Sequence, residues 1–149
     1  MKEIKLINSD LVALVDDEDF EYLSQFNWRV GTKGYAESKI NNKTTNMHRL
    51  ILKLSDRKTE TDHKDHNKLN NQKYNIRPCS TAQNQMNKMP RGTSKYLGVK
   101  IVNGKIKAAI KVGNKYIHLG TFKTEIDAAI IYDYAAVLYH GEFANVNFK

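Results

Sequence analysis

Apolar residues in the first third of the chain come in short runs broken by turn residues, a pattern that predicts strands more than long helices. Residues 4–7 and 11–15 read as two short strands around an Asn8-Ser9-Asp10 turn. Asp16 to Asp19 supply an acidic helix start, and Phe20, Leu23 and Phe26 follow at helical spacing. Residues 28–30, 35–40 and 45–52 read as further strands, punctuated by Gly31, Gly34 and the Asn41-Asn42 pair. Trp28 and the phenylalanines are expected in a core, so this region is scaffold.

The last third alternates more regularly. Asn103-Gly104 and Gly113-Asn114 are two-residue hairpin signals that divide LGVKIV, KIKAAIKV and KYIHL. Such turns fix the register: Val102 opposes Lys105 and Val112 opposes Lys115. One face then carries Leu97, Val99, Ile101, Ile106, Ala108, Ile110, Val112, Ile117 and Leu119. The other carries Lys100, Lys105, Lys107, Lys111, Tyr116 and His118. Thr124-Glu125-Ile126-Asp127 resembles a capping box and opens a helix to about Tyr139, with Gly141 as the stop. Ile126, Ile130, Tyr134, Val137 and Leu138 recur at helical spacing. Ala128, Ala129, Ala135 and Ala136 would let the helix approach the sheet closely and cover its apolar face. The class expected is α+β.

A chain of 149 residues forms one ordinary domain or two small ones. Residues 88–95, KMPRGTSK, lack any apolar period and read as a basic linker that itself reaches phosphates, which divides the chain into 1–90 and 91–149. No stretch is long and apolar enough to span a bilayer, and the acids behind the LVALV run argue against a signal peptide. Cys79 is the single cysteine, which leaves no internal disulfide, no disulfide partner and no cysteine-based zinc cluster. A reduced, cytoplasmic setting without membrane attachment is expected. The net charge of +8 points to a polyanion such as nucleic acid. Residues 91–149 hold nine Lys and Arg against four acids, so the excess is concentrated there.

Candidate chemistry lies in residues 61–88, dense in Asn and therefore rich in turns. A polar surface loop does not explain the adjacent Asp62 and His63, which set an oxygen metal ligand beside the commonest general base. Neighbours on a regular strand face opposite ways, so the two share a site only where the strand ends or bulges. Ser80 is a candidate N-cap that would put Asn84 one turn into the next helix.

Met47-His48-Arg49-Leu50, Asp62-His63, Asp65, Asn70-Asn71, Asn75-Ile76-Arg77 and Gln83-Asn84 together resemble the HNH nucleases, in their phage and intron-encoded homing branch. The resemblance covers roughly residues 45–88 and implies a small ββα-metal domain with one divalent ion per site. By position, Asp62 and Asn84 would be the metal ligands, Asn84 standing where many relatives have a His. Oxygen ligands suit Mg²⁺ or Mn²⁺. His63 would be the general base, and Asn75 the residue that ties the hairpin together and orients His63. The implied reaction is phosphodiester hydrolysis leaving 5′-phosphate and 3′-hydroxyl ends. Arg49, with His48 beside it, and Arg77 are candidate DNA contacts, while Asp65 fits a hairpin-stabilising part.

Residues 94–148 resemble the plant ethylene-response-factor (APETALA-type) DNA-binding domain. The matching elements are Tyr96-Leu97-Gly98-Val99, Leu119-Gly120-Thr121-Phe122, Ala128-Ala129, Tyr132-Asp133, Ala135-Ala136 and the run from Gly141 to Phe148. This implies a three-stranded antiparallel sheet packed on one helix, with double-stranded DNA against the open face. Lysine is a weaker bidentate reader of guanine than the arginine of plant members. Together the two resemblances imply a homing-type DNA endonuclease of a mobile genetic element, phage or intron-borne, working in a bacterial cytoplasm. The rival is a non-enzymatic DNA-binding regulator with a vestigial HNH region. A third reading, an RNA-binding module, lacks an aromatic stacking platform. Oligomeric state is left open.

Overall fold

Met1–Thr81 and Ala82–Lys149 pack as separate units in a computed structural model of the chain. Residues 1–90 and 92–148 are described; Arg91, in the expected linker, and Lys149, the expected end of the second domain, lie outside the described residues. The architecture is mixed α and β, with four α-helices and several small antiparallel sheets among the described residues. Among the described residues no helix is long and apolar enough to cross a membrane.

In the first unit, β1 (Lys2–Lys5) pairs antiparallel with β2 (Val12–Val15). The α1 helix (Asp17–Leu23) follows, with Asp17, Glu18 and Asp19 at the end where the helix dipole favours negative charge. A three-stranded sheet has the order β3 (Arg29–Val30), β4 (Ala36–Ile40) and β5 (Lys43–Asn46). Asn41 and Asn42 close its β4–β5 hairpin at φ 49° and 62°, values Asn tolerates better than most residues.

Residues 47–51 depart from expectation. They form the α2 helix (Met47–Ile51), not the continuation of a strand. Ladder pairing with β4 ends at Asn46 opposite Glu37, and Met, Arg and Leu are good helix formers once the ladder stops. Then β6 (Glu60–His63) pairs antiparallel with β7 (Ile76–Cys79), and α3 (Thr81–Met86) comes next. The core gathers Ile4, Val15, Leu23, Met47 and a fully buried Trp28, whose indole N–H donates to Leu23 O at 2.8 Å.

The second unit is a sheet of order β10-β9-β8, built from β8 (Val99–Val102), β9 (Lys105–Val112) and β10 (Lys115–Phe122). Val102 opposes Lys105 and Val112 opposes Lys115, as the turns require. The register slips between His118 and Gly120, so Thr121, and not Gly120, stands opposite Lys107. The α4 helix (Glu125–His140) starts at Thr124, whose hydroxyl accepts from Asp127 N at 3.1 Å.

The face that α4 lays on the sheet overturns the expectation set by its large apolar residues. Ala128, Ala129, Tyr132, Ala135, Ala136 and His140 are the buried set, while Ile126, Ile130, Tyr134, Val137 and Leu138 are exposed. Alanines let the backbone come close, and the bulk needed inside comes from Val99, Ile110 and Tyr132. Gly98 (φ 71°) lies directly under the Tyr132 ring, where a Cβ would meet Cδ2 at 1.8 Å. The C-terminal tail is stitched down by Asp133, which accepts from the backbone N–H of Asn147 and Phe148 and from the Asn147 amide.

Candidate active site

The strand β6 ends on Asp62 and His63, and both are buried, at 4% and 6% exposure. Asp62 opposes Arg77 in the ladder. The Arg77 Nε and Nη2 donate to the same carboxylate oxygen, Oδ2, at 2.9 and 2.7 Å. His63 opposes Ile76 and enters an aromatic cluster. Its ring centroid lies 5.7 Å from Tyr35 and 5.2 Å from His48, and the His48 ring stands edge-on to Tyr35 at 4.9 Å.

Burial pushes the His63 imidazole below its ordinary value, opposed by the nearby Asn71 side-chain oxygen, which favours a protonated ring, and by the negative charges of Asp65 and Asp62. A ring shifted this way is unprotonated at neutral pH and able to accept a proton. Burial, then His63 and Arg49, drive His48 down to about 3. No hydrogen bond reaches its Nδ1 among the described residues. The Cys79 thiol, raised to about 11 chiefly by burial, stays protonated.

A dense polar loop holds this end of the hairpin. Asn75, 1% exposed, donates to Asp65 Oδ1 and to Asn70 O, both at 2.8 Å, and accepts from Asp65 N at 3.0 Å. Asp65 also accepts from Asn67 N and from the Asn70 amide. Burial raises the Asp65 carboxyl, but these bonds from Asn70, Asn67 and Asn75 outweigh it and leave it below the usual range. The far side of the loop docks on β2: Leu14 N donates to Leu69 O and Asn71 N to Leu14 O, each at 2.8 Å. Asp16 then accepts from the Gln72 amide and from Lys73 N.

Asp62, His63, Asn75 and Arg77 all lie in the first unit, Asp62 paired to Arg77 and the Asn75 amide bonded to Asp65 and Asn70. Asn84 is the fourth residue of α3, within the second. Arg49 turns inward, donating to the backbone carbonyls of Thr59 (2.7 Å) and Asp56, and so ties down the loop before β6. Reading the sequence missed Tyr35, whose ring stands beside that of His63. Among the described residues no group of three or more His, Cys, Asp and Glu could hold a metal ion. One buried carboxylate with amide oxygens fits a hard ion that keeps water and phosphate oxygens in its shell, as Mg²⁺ does, better than a closed zinc cage.

The open face of the second unit places Lys100 opposite Lys107 and Lys107 opposite Thr121 across the three strands. Lys111 opposes Tyr116, and Ala109 opposes His118. Lys100, Lys105, Lys107, Lys111, Tyr116 and His118 are all exposed, and Tyr116 is 73% so. Such a surface can lay cations along phosphates while the Tyr and His of the edge strand β10 meet base edges.

No family model matches the chain. Over 144 residues it is 36% identical to an uncharacterized HNH endonuclease of Acanthamoeba polyphaga mimivirus, a match covering 91% of this chain and 74% of the viral protein. It is also 50% identical over 62 residues to an AP2-like ethylene-responsive transcription factor of Arabidopsis thaliana. An APETALA2-like protein 2 of Oryza sativa is 44% identical over 62 residues. These plant matches cover 39% and 40% of this chain but 18% and 14% of the plant proteins, so the chain spans a small part of their length.

Proposed function

The chain belongs to the HNH endonucleases, and from that premise we propose that it hydrolyses a phosphodiester bond of duplex DNA at the Asp62–His63 centre. The basic sheet would hold it on its target, and its role would be homing of a mobile element. The observation that carries the reading is a buried histidine kept neutral at a strand end, beside a carboxylate that Arg77 fixes in place.

In this reading His63 takes the proton from the attacking water, the task a neutral imidazole performs best near neutral pH. The aromatic cluster of Tyr35 and His48 holds the ring, and the Asn75–Asp65 network holds the loop that follows His63. Arg77 holds the Asp62 carboxylate in place through its two donors to Oδ2. Asp62 would be a ligand of the one Mg²⁺ or Mn²⁺ of the ββα-metal site, an ion that neutralises charge growing on the phosphate. Any phosphate contact by Arg49 or Arg77 would use donors beyond those already committed to the Asp56–Thr59 carbonyls and to Asp62.

Supercoiled-plasmid cleavage with Mg²⁺, with and without chelator, tests the proposal. Cleavage should need the metal, and His63→Ala should slow it by about two to four orders of magnitude, the usual worth of a general base. Parent-like cutting by that variant rejects His63. Duplex binding with no cleavage under any divalent ion would favour the regulator reading instead.

A further inference from the structure

We infer that the chain pairs with a second copy of itself through the outer face of α4, the two helices running antiparallel. On that face Ile126, Ile130, Ile131, Tyr134, Val137 and Leu138 are all exposed, Tyr134 and Leu138 by 73% and 76%. Asp127 is the one charged residue exposed among them. A helix lying on its own sheet has the opposite order, polar side outward. Here the sheet takes the alanines and the bulk is left outside, with no charge from Ala128 to Tyr139 except the half-buried Asp133.

Three observations select a second copy as the occupant. Aromatic side chains present on the order of 150–250 Å² each. With the branched residues at the exposures given, the stripe therefore offers several hundred Å² per copy, the scale of the roughly 800 Å² per partner in a stable interface. The stripe holds no Lys or Arg, so it offers a DNA backbone nothing, while a chain of net charge +8 can meet its own copy there without setting cation against cation. Within the second unit α4 covers one face of the sheet and the lysines occupy the other, so pairing through α4 leaves both basic faces open.

Direction follows from charge. Parallel helices would bring the two Asp127 carboxylates together. Antiparallel helices keep the two carboxylates apart and set Ile126 beside Leu138 of the other copy, across a stripe about 18 Å long. The pairing does not depend on the nuclease reading. It gives the molecule a twofold axis, which suits a target with two half-sites.

Sedimentation velocity on the full chain, from low to high micromolar concentration, tests it. A concentration-dependent dimer is expected, and Leu138→Lys should sediment as monomer with unchanged circular dichroism. Mixing Leu138→Lys with Ile126→Glu should restore dimer, because the antiparallel arrangement sets the new charges opposite each other. A monomer at every concentration overturns the inference, whatever covers the stripe instead, and so does a dimer that Leu138→Lys leaves intact. A mixture that stays monomeric overturns the antiparallel arrangement.

Discussion

His48 shows what burial does to a single titratable side chain. Its folded-state value of about 3 lies below the ordinary 6.5 that the unfolded chain retains. The unfolded state therefore binds the proton first. Stability is complete above pH 6.5 and declines as pH falls toward 3, and His63 shifts with the same sign. At about pH 5 the loss from His48 is roughly 2 kcal/mol at 1.36 kcal/mol per unit. Thermal melting should drop between neutral pH and pH 5, and His48→Phe should flatten that drop; parallel curves would remove His48 as its source. The Asp62–His63 pair was legible in the sequence because the two residues are adjacent. The neighbours of His63 were not, since Tyr35 and His48 reach it from β4's approach and from α2, and only tertiary packing brings them together.

Elements were legible where turn chemistry sets them. Asn103-Gly104 and Gly113-Asn114 specified the register of β8, β9 and β10 residue for residue up to His118. The slip after His118 was invisible, because an extra residue in an alternating run looks like more alternation. The α2 segment misled because a short apolar run has no readable period. The α4 helix misled because large side chains were expected inside, where close approach needed alanine. Two outcomes test these elements. Gly98→Ala, forced against the Tyr132 ring at positive φ, should cost roughly 2–4 kcal/mol, seen as a lower melting temperature of the second unit. Alanine at Lys100, Lys105, Lys107 and Lys111 should weaken duplex binding and flatten log affinity against log salt by about one unit for each phosphate no longer neutralised. Affinity and slope both unchanged would move the DNA-facing surface elsewhere.

At the scale of the whole molecule, charge and chemistry are divided: the buried acid-base pair lies in the unit Met1–Thr81, and the open lysine ladder in Ala82–Lys149. Composition placed the excess of lysine in the last third of the chain, where the exposed lysines of the sheet lie. What composition did not contain is the dependence of the reactive loop on the start of the chain. Asp16 holds Gln72 and Lys73 across 56 and 57 residues, and Leu14 brackets Leu69 and Asn71. Contacts so far apart in sequence form late, since the chain must close a long loop before it gains anything from them. Leaving the ribosome, the first forty residues can set up their hairpins and then wait as a template on which the reactive loop is moulded. Trp28, the sole tryptophan, sits in that template and reports its assembly. On refolding from denaturant its fluorescence should recover first and DNA cleavage afterwards; activity returning ahead of the Trp28 signal would show a loop that shapes itself. On the proposed function, the chain would thus gain its cutting activity only after its first half has been made, a delay written into the order of its residues.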